Sequence, residues 1–524
     1  MTTPLANPDE MLTVEAVEVV GSTILSPRQI RQLIEPVLFR RVTRRQLQDV
    51  ADAITRIYVE QGYITSRAVV VEETIPLGKI RIDVIEGRLA DIQITGNRRL
   101  STAYIRSRLK LADKVPLNVN ALEEQLRLLR ATPYIENIEA TLRPSEDPQA
   151  RAGDSILLVK VLEDKQPLVL GVGFDNYIPP SISQQRGLFY LGYQNISGIG
   201  DEIFGSYTFG LTPSRFGVPA LNELDLRYRV PINPMDGTIQ VRLVATASQI
   251  TDRAFEALDI NAISGLAEFS FRQPIIRSVR QELALSTGFT YQISQTFTFA
   301  GPTPFGFGPD RDGSSRTSVL KFGVDYTYRD TSGVWLALSQ FNLGLPIFNA
   351  TLNGDGPFPG KVFPDGRFLS WQAQGLRLQN LGNDFLLILR GDVQLATRPL
   401  LAQHQFVIGG GQSVRGYRQN ARSGDNGMRI SAEFRIPAAR DANGQPFFYL
   451  TPFIEFGRVW NNRTNPNVLT TPNTLAGAGI GFLWTPVPGL DVRFDAGVPI
   501  IYNRDRGFDM QDYGLYFSVV YRAF

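Results

Sequence analysis

The alternation of apolar and polar residues near the C-terminus is the feature that most constrains the fold. Over 428–436 and again over 490–498, every second residue is apolar and most of those between are charged. A β-strand turns successive side chains to opposite faces, so each segment has one apolar face and one ionic face. A soluble sandwich would bury the apolar faces in a core, whereas a membrane barrel would turn them to lipid and enclose the charges in a wet lumen.

Length and composition exclude several classes of function. A chain of 524 residues suggests two or more folding units, and a net charge of +2 gives no reason to expect nucleic acid as a partner. Cysteine is absent and histidine occurs once, at His404, which excludes a disulfide framework and a Cys/His zinc site. No apolar run reaches the roughly 18 to 20 residues that a spanning helix needs. We expect neither metal nor cofactor, and no enzymatic activity.

The first third of the chain contains two copies of a small module. The segments 17–26 and 92–101 match at a constant offset, and each reads as a short strand, a glycine turn and a serine that caps a helix. A second helix follows in each copy, capped by Thr43 in the first and by Asn120 in the second. Two strand-like runs complete each unit. The sequence therefore predicts the order β-α-α-β-β twice.

These patterns predict an N-terminal extension over residues 1–11 and two mixed domains over 12–88 and 89–164. The extension has neither a basic nor an apolar leader region, so the signal peptide of an exported form is expected to be missing from this sequence.

Residues 165–524 read as strands only. The alternating runs number roughly sixteen, and an even number is the rule in bacterial outer-membrane barrels. Long connections such as 348–365 alternate with short ones such as 330–333. Membrane barrels keep this parity because their external loops are long and their periplasmic turns short, and a sandwich has no reason to keep it. The sequence therefore predicts a sixteen-stranded antiparallel transmembrane β-barrel.

The longest predicted loop, residues 398–426, contains the glycine-rich run 409–417. A glycine cluster can cradle phosphate, but this one lacks a lysine and a following helix. The glycines instead permit positive φ and close backbone approach, so the loop can fold back sharply into the confined space of a lumen.

Together these elements resemble the two-partner secretion transporters of the haemolysin and haemagglutinin secretion-activation type. Those proteins belong to the outer-membrane polypeptide-transporter superfamily. The resemblance lies in the double module, which is similar to paired POTRA domains, and in the runs 62–68, 86–89 and 414–417. It implies two periplasmic POTRA domains, a barrel in the outer membrane and a loop that enters the lumen.

In that family the arginine of the loop contacts an acidic residue on the barrel wall, within a motif similar to 453–457. The resemblance assigns the loop motif and its wall partner to Val414, Arg415, Gly416, Tyr417, Glu455 and Gly457. The usual acid is aspartate, which is one methylene shorter than Glu455. Arginine suits the role because its planar fork can bind a carboxylate with two hydrogen bonds. In a hydrated lumen we expect this pair to contribute on the order of 1 kcal/mol.

The resemblance also implies partners. Tyr63, Ile64 and Arg67 are candidates for docking the cargo, an unfolded secreted exoprotein of the large β-helical kind, at a sheet edge or groove. Tyr521 and Phe524 would form a C-terminal signal for the barrel-assembly machinery. The remaining partner is outer-membrane lipid, and the protein is expected to be a monomer that binds no nucleic acid.

The function implied is capture of the exoprotein by the POTRA domains and its passage through the barrel to the cell surface. One alternative is an outer-membrane protein insertase or assembly factor of the same superfamily, whose bacterial members usually carry more than two such modules. Another is a passive porin, which would not need docking modules.

Overall fold

The computed structural model describes residues 11–163, 166–214, 217–354, 358–503 and 507–523. The chain forms two compact units, one before residue 166 and one from Gln166 onward. Phe524 and ten of the eleven residues of the predicted N-terminal extension lie outside the described residues. No helix in the described ranges is both long and apolar enough to cross a membrane.

The first module contains two helices and five strands. They are β1 (Met11–Thr13), β2 (Ala16–Val20), α1 (Pro27–Ile34), β3 (Arg41–Thr43), α2 (Arg44–Glu60), β4 (Arg67–Val70) and β5 (Lys79–Ile85). The sheet has the order β2-β5-β4, and β1 pairs with β3. Thr43 and Gln46 form the predicted capping box of α2. This helix buries Leu47, Ile54 and Tyr58 against the sheet.

The second module contains the elements β6 (Arg88–Thr95), α3 (Thr102–Leu109), α4 (Val119–Arg130), β7 (Ile135–Pro144) and β8 (Asp154–Glu163). Its sheet has the order β6-β8-β7. The prediction that Asn120 caps α4 is wrong, because the cap is Asn118, whose side chain accepts hydrogen bonds from the N–H groups of Asn120 and Ala121. Asn118 is held there by the first module, since its amide donates to the carbonyl of Gln61.

The second unit is a β-barrel. Its strands, and the small hairpin inside it, are β9 (Leu168–Asp175), β10 (Arg186–Gln194), β11 (Glu202–Gly210), β12 (Leu221–Pro231), β13 (Thr238–Gln249), β14 (Asn261–Arg277), β15 (Gln281–Thr298), β16 (Gly301–Pro302), β17 (Ser314–Asp330), β18 (Gly333–Leu345), β19 (Leu369–Gly382), β20 (Phe385–Ala396), β21 (Phe406–Ile408), β22 (Arg422–Gly424), β23 (Asn426–Arg440), β24 (Pro446–Trp460), β25 (Thr474–Val487), β26 (Leu490–Pro499) and β27 (Leu515–Arg522). Apart from the two-residue β16, sixteen strands of the described ranges close into one antiparallel ring, with β27 paired to β9. This confirms the predicted fold class, whereas β21 and β22 form a separate hairpin.

Exposure and ion pairs identify the two faces of the barrel wall. In β12, Leu224 and Leu226 are 43% and 42% exposed, whereas Asp225 between them is buried and binds Arg242 of β13. The exposed apolar face suits contact with acyl chains, and the ionic face lines the lumen. Other ion pairs of the inner face are Arg229–Glu202, Arg272–Asp325, Lys321–Glu268 and Arg429–Asp392.

Candidate functional site

The connection between β20 and β23, residues 397–425, folds back against the inner face of the barrel, and we call it the lumenal loop. Its buried side chains pack with two wall residues in a small apolar cluster made of Ile408, Val414, Tyr417, Val459 and Leu475. Val459 belongs to β24 and Leu475 to β25, so the apolar part of the loop is seated on these two strands.

Glycines allow the loop to approach the wall. Gly416 has φ of +98°, and a Cβ atom there would lie 2.8 Å from the backbone nitrogen of Pro499. Only glycine combines this positive φ with such a close approach. Gly457 leaves room for the loop on the wall, because a Cβ on it would lie 3.1 Å from side-chain carbons of both Ile408 and Val414.

Arg415 lies against Glu455, the predicted wall residue. Its Nε and Nη2 donate to Oε1 at 2.9 and 2.5 Å, and its backbone N–H donates to Oε2 at 2.6 Å. Its Nη1 also donates to Asp495 at 3.0 Å and to Glu433 at 3.2 Å. The guanidinium carbon lies 3.3 Å from the ring centroid of Phe453. One arginine of the loop thus contacts three carboxylates and an aromatic face of the wall.

The contact is buried, contrary to the expectation of a hydrated, screened pair. The side chains of Arg415 and Glu455 are 4% and 6% exposed, because the loop itself covers them. In a buried network the two charges are screened little, and removal of one partner leaves an uncompensated charge at a cost of about 3–5 kcal/mol. The value on the order of 1 kcal/mol expected from the sequence is therefore too small.

The charges around Arg415 balance, and we call these residues the anchor cluster. Its members are Arg415, Glu433, Arg435, Glu455, Arg493 and Asp495. Arg493 donates to both Asp495 and Glu433 at 2.6 Å, and Arg435 lies 3.5 Å from Glu433. Three guanidinium groups therefore match three carboxylates. No group of acidic or histidine side chains in the described ranges is arranged to hold a metal ion.

Tyr516 of β27 belongs to the site, although no motif in the sequence marks it. Its buried hydroxyl accepts a hydrogen bond from the N–H of Gly416 at 2.8 Å and donates to the carbonyl of Tyr417 at 2.6 Å. The hydroxyl of Tyr417 in turn lies 2.7 Å from the carbonyl of Ile501. The one indication in the sequence is the alternation of the last strand. It places Tyr516 on the inner face and its neighbours Leu515 and Phe517 on the outer face.

A second set of contacts joins the loop to the connection between β26 and β27. Arg418 donates to the carboxylate of Asp512 at 2.6 and 2.9 Å, and the backbone N–H of Gln419 donates to Oε1 of Gln511 at 2.7 Å. The Nε2 of Gln511 donates to the carbonyls of Asn176 and Ile178 at 2.5 and 2.8 Å. Gln511 therefore bridges the lumenal loop and the chain that follows β9.

Asn176 extends the seam where the barrel closes. The ladder between β27 and β9 runs only from the Ser518–Asp175 pair to the Arg522–Gly171 pair. Beyond Asp175, the side chain of Asn176 donates to the carbonyl of Leu515 and accepts from the N–H of Phe517, both at 3.0 Å. The backbone N–H of Asn176 also donates to the carbonyl of Phe517 at 3.4 Å, so the side-chain amide reinforces the seam beyond the regular ladder.

The remaining predicted residues are separate from this site. In the first module, Tyr63 packs edge-on against Tyr58 with ring centroids 5.9 Å apart, while Ile64 and Arg67 are exposed. Tyr521 is exposed on the outer face of β27, and Phe524 lies outside the described residues.

Comparison with known proteins agrees with this architecture. A family described as haemolysin secretion/activation protein ShlB/FhaC/HecB matches residues 153–483, and the POTRA domain of ShlB type matches residues 12–87. The outer membrane transporter CdiB of Escherichia coli O6:K15:H31 (strain 536 / UPEC) is 24% identical over 507 residues, which cover 94% of this chain and 79% of CdiB. The heme/hemopexin transporter protein HuxB of Haemophilus influenzae (strain ATCC 51907 / DSM 11121 / KW20 / Rd) is 20% identical over 78% of this chain and 69% of HuxB.

Solved structures show the same fold. CdiB from Escherichia coli superposes with a TM-score of 0.72 at 20% identity, over 100% of this chain and 92% of that chain. BamA from Haemophilus ducreyi, lacking POTRA domains 1–3, gives a TM-score of 0.56 at 15% identity, over 98% of this chain and 100% of that chain. The barrel lies in the outer membrane and its POTRA domains in the periplasm, as expected from the sequence. The family match covers more than half of the chain, and the protein therefore belongs to the haemolysin secretion/activation family ShlB/FhaC/HecB of two-partner secretion transporters.

Proposed function

We propose that the protein recognises an unfolded secreted exoprotein through its POTRA domains and passes it through the barrel to the cell surface. The observation that carries this proposal is the docked lumenal loop. Its tip is held by side-chain contacts of the anchor cluster and Tyr516 and, among the residues that the structure describes, forms no ladder with a barrel strand. These side-chain contacts can break together without breaking any bond between barrel strands. The loop can therefore leave the wall while the barrel stays closed.

Cargo recognition in the first module is assigned to Tyr63, Ile64 and Arg67. Ile64 is 54% exposed, and the exposed Arg67 begins β4, the edge strand of the sheet. An exposed apolar group beside a cation suits an extended segment with mixed side chains. Strand addition along β4 itself is limited, because the N–H of Ala68 already donates to the hydroxyl of Thr55 at 2.9 Å.

The second module offers a longer edge for strand addition. β7 has ten residues and pairs with β8 on one side only within the described sheet. Its exposed residues include Glu139, Ala140 and Thr141. An unpaired edge of this length presents a row of backbone donors and acceptors to an incoming extended segment. We assign the main-chain contacts of the cargo to β7.

The transporter is further proposed to act as a monomer in outer-membrane lipid. In this proposal Tyr521 and Phe524 are the signal for the barrel-assembly machinery.

The test uses a photo-crosslinking amino acid in cells that secrete the cognate exoprotein. Placed at position 64 or 141, it should capture the exoprotein, whereas position 127, exposed on α4, serves as the control. Deletion of residues 12–87 should abolish secretion while the barrel still folds. Secretion that survives this deletion contradicts the proposal, and capture of unrelated barrel proteins at position 141 favours an insertase.

A further inference from the structure

The inner face of the barrel is not ionic throughout. Three neighbouring strands, β18, β19 and β20, turn a contiguous group of apolar side chains into the lumen, and we call this group the lumenal apolar patch. Its members are Val334, Leu336, Leu338, Leu376, Leu378 and Ile388. In the sheet register Leu336 pairs with Leu376, and Leu378 pairs with both Val334 and Ile388.

Cross-strand partners place the patch on the inner face. Leu338 pairs with Asp325, which binds Arg272 inside the barrel, and Ile388 pairs with Glu433 of the anchor cluster. Directly opposed residues of neighbouring strands share a face. The alternate residues Trp335 and Leu389 are 51% and 42% exposed on the lipid side.

The patch is open to the lumen. Leu336 is 37% exposed, and with Leu338 and Leu376 it lines a cavity of about 420 Å³. The rim of this cavity is charged, with Asp325, Arg390, Asp392 and Arg429. Apolar side chains that face water in a channel stabilise the wall less than buried ones would, since they keep much of their area hydrated.

The rim leaves one cation without an ionic partner. Asp325 is bound to Arg272 and Asp392 to Arg429. Arg390 is exposed, and no acidic side chain in the described part of the barrel forms an ion pair with it. It lies next to the patch, because it pairs with Leu376 and follows Ile388 by two positions on the same strand face. The free charge at the rim therefore selects a negative partner.

Dimensions and access restrict what can bind. Four residue steps along a strand and two strand spacings give a patch of about 14 by 10 Å. Two or three side chains on one face of an extended peptide cover this area. A lipid on the outside of the barrel cannot reach it, and the docked loop occupies the lumen beside it.

We infer that the lumenal apolar patch and Arg390 form a binding site for an extended polypeptide segment with apolar side chains at alternate positions, followed on the same face by an acidic residue. This inference rests on the proposed passage of an unfolded polypeptide through the lumen. It specifies the sequence pattern of the cargo segment that binds to the barrel wall. The site also lies beside the loop tip, since Arg429 of its rim donates to the carbonyl of Gln412 at 3.0 Å. A bound segment therefore sits next to the docked loop.

The experiment measures single-channel blockades by synthetic decapeptides with purified protein in planar bilayers. The probe is a repeat of Leu-Thr-Leu-Thr-Glu, compared with versions in which Ser replaces Leu or Lys replaces Glu. In Leu336→Ser/Leu376→Ser the dwell time of the probe should fall about tenfold, which corresponds to about 1.4 kcal/mol. Arg390→Gln should shorten blockades by the Glu peptide and should not shorten those by the Lys peptide.

Leu266→Ser is the matched control, because Leu266 faces the lumen on β14 outside the patch. Heat-modified migration in electrophoresis checks that every variant is a folded barrel. Equal dwell times in wild type and Leu336→Ser/Leu376→Ser, or equal blockade by the Leu and Ser peptides, overturn the site and leave the proposed function standing. A wild-type channel that no peptide enters overturns both.

Discussion

The carboxylate of Glu455 accepts three hydrogen bonds from Arg415, two from the guanidinium and one from the backbone N–H. A single wall residue therefore binds both the charge and the main chain of the lumenal loop. The bond to the N–H group fixes the backbone one residue before Gly416, where the chain turns with positive φ. The carboxylate thus fixes the position of the loop as well as neutralising its arginine.

Replacing Arg415 with alanine should release the loop and impair secretion while the barrel still assembles. Glu455 and Asp495 would lose their loop cation, and we expect docking to weaken by about 3–5 kcal/mol because buried carboxylates are left uncompensated. Since the chain contains no cysteine, a spin label on a single cysteine at position 412 can report loop mobility. Arg435→Ala is the control, because Arg435 is 34% exposed and lies 3.5 Å from its carboxylate. Equal mobility in both variants would contradict the anchoring role.

Reversing both charges, with Arg415→Glu and Glu455→Arg, should fail to restore docking. A glutamate at position 415 would lie near Glu433 and Asp495, whose oxygens are 3.2 and 3.0 Å from the present guanidinium. Like charges at this distance repel strongly in a buried site. Secretion by the double variant should therefore be no better than by Arg415→Ala. Recovery to near the wild-type level would mean that Glu455 alone determines the contact.

Gln511→Ala should loosen the loop and the barrel seam together. The substitution leaves the carbonyls of Asn176 and Ile178 without their donor, and each such loss in a buried site costs about 1–3 kcal/mol. We expect a lower midpoint of urea unfolding in detergent and greater mobility of a spin label at position 412. Gln419→Ala is the matched control, because Gln419 binds Gln511 through its backbone N–H. Loss at the seam with an unchanged loop would show that Gln511 does not couple the two.

Acid should weaken docking at the start of the loop through His404. Its Nε2 lies 3.0 Å from the hydroxyl of Thr317, and burial, with a contribution from the charge of Lys321, lowers its pKa to about 4 from the ordinary 6.5. The released loop takes up a proton more readily than the docked loop. Docking is therefore strongest above pH about 6.5 and weakens as the pH falls toward 4. A spin label at position 403 should become more mobile across this range, and His404→Gln should remove the pH dependence.

The barrel is predictable from the sequence because the alternation of apolar and polar residues along a strand is a local pattern. Parity alone placed Glu455 on the inner face, and the capping box of Thr43 marked the start of α2 correctly. The helix cap at Asn118 cannot be predicted from local sequence, because a contact with Gln61 of the other module determines it. Local sequence does not record such contacts.

Burial of the anchor cluster could not be derived for the same reason. Whether the pair of Arg415 and Glu455 is wet or dry depends on how the loop packs over it, and that packing uses Val459 and Leu475 from two strands. Tyr516 and Gln511 act on the loop from positions about a hundred residues away in the chain. In the sequence such polar residues look like ordinary strand or loop residues. Only the folded barrel brings them into contact with the loop.

The hydrogen bond between Asn176 and Phe517 spans 341 positions, and this has a consequence for how the protein folds. Every other interface of the ring joins barrel strands that follow one another in the chain, so each can form locally. The interface between β27 and β9 must instead bring the two ends of the barrel sequence together. Loop-closure entropy rises with the intervening length, and contacts of high sequence separation form late. Tyr516, which binds the lumenal loop, lies on that same final strand. Closure of the barrel and seating of the loop against Tyr516 are therefore completed in one last step of folding.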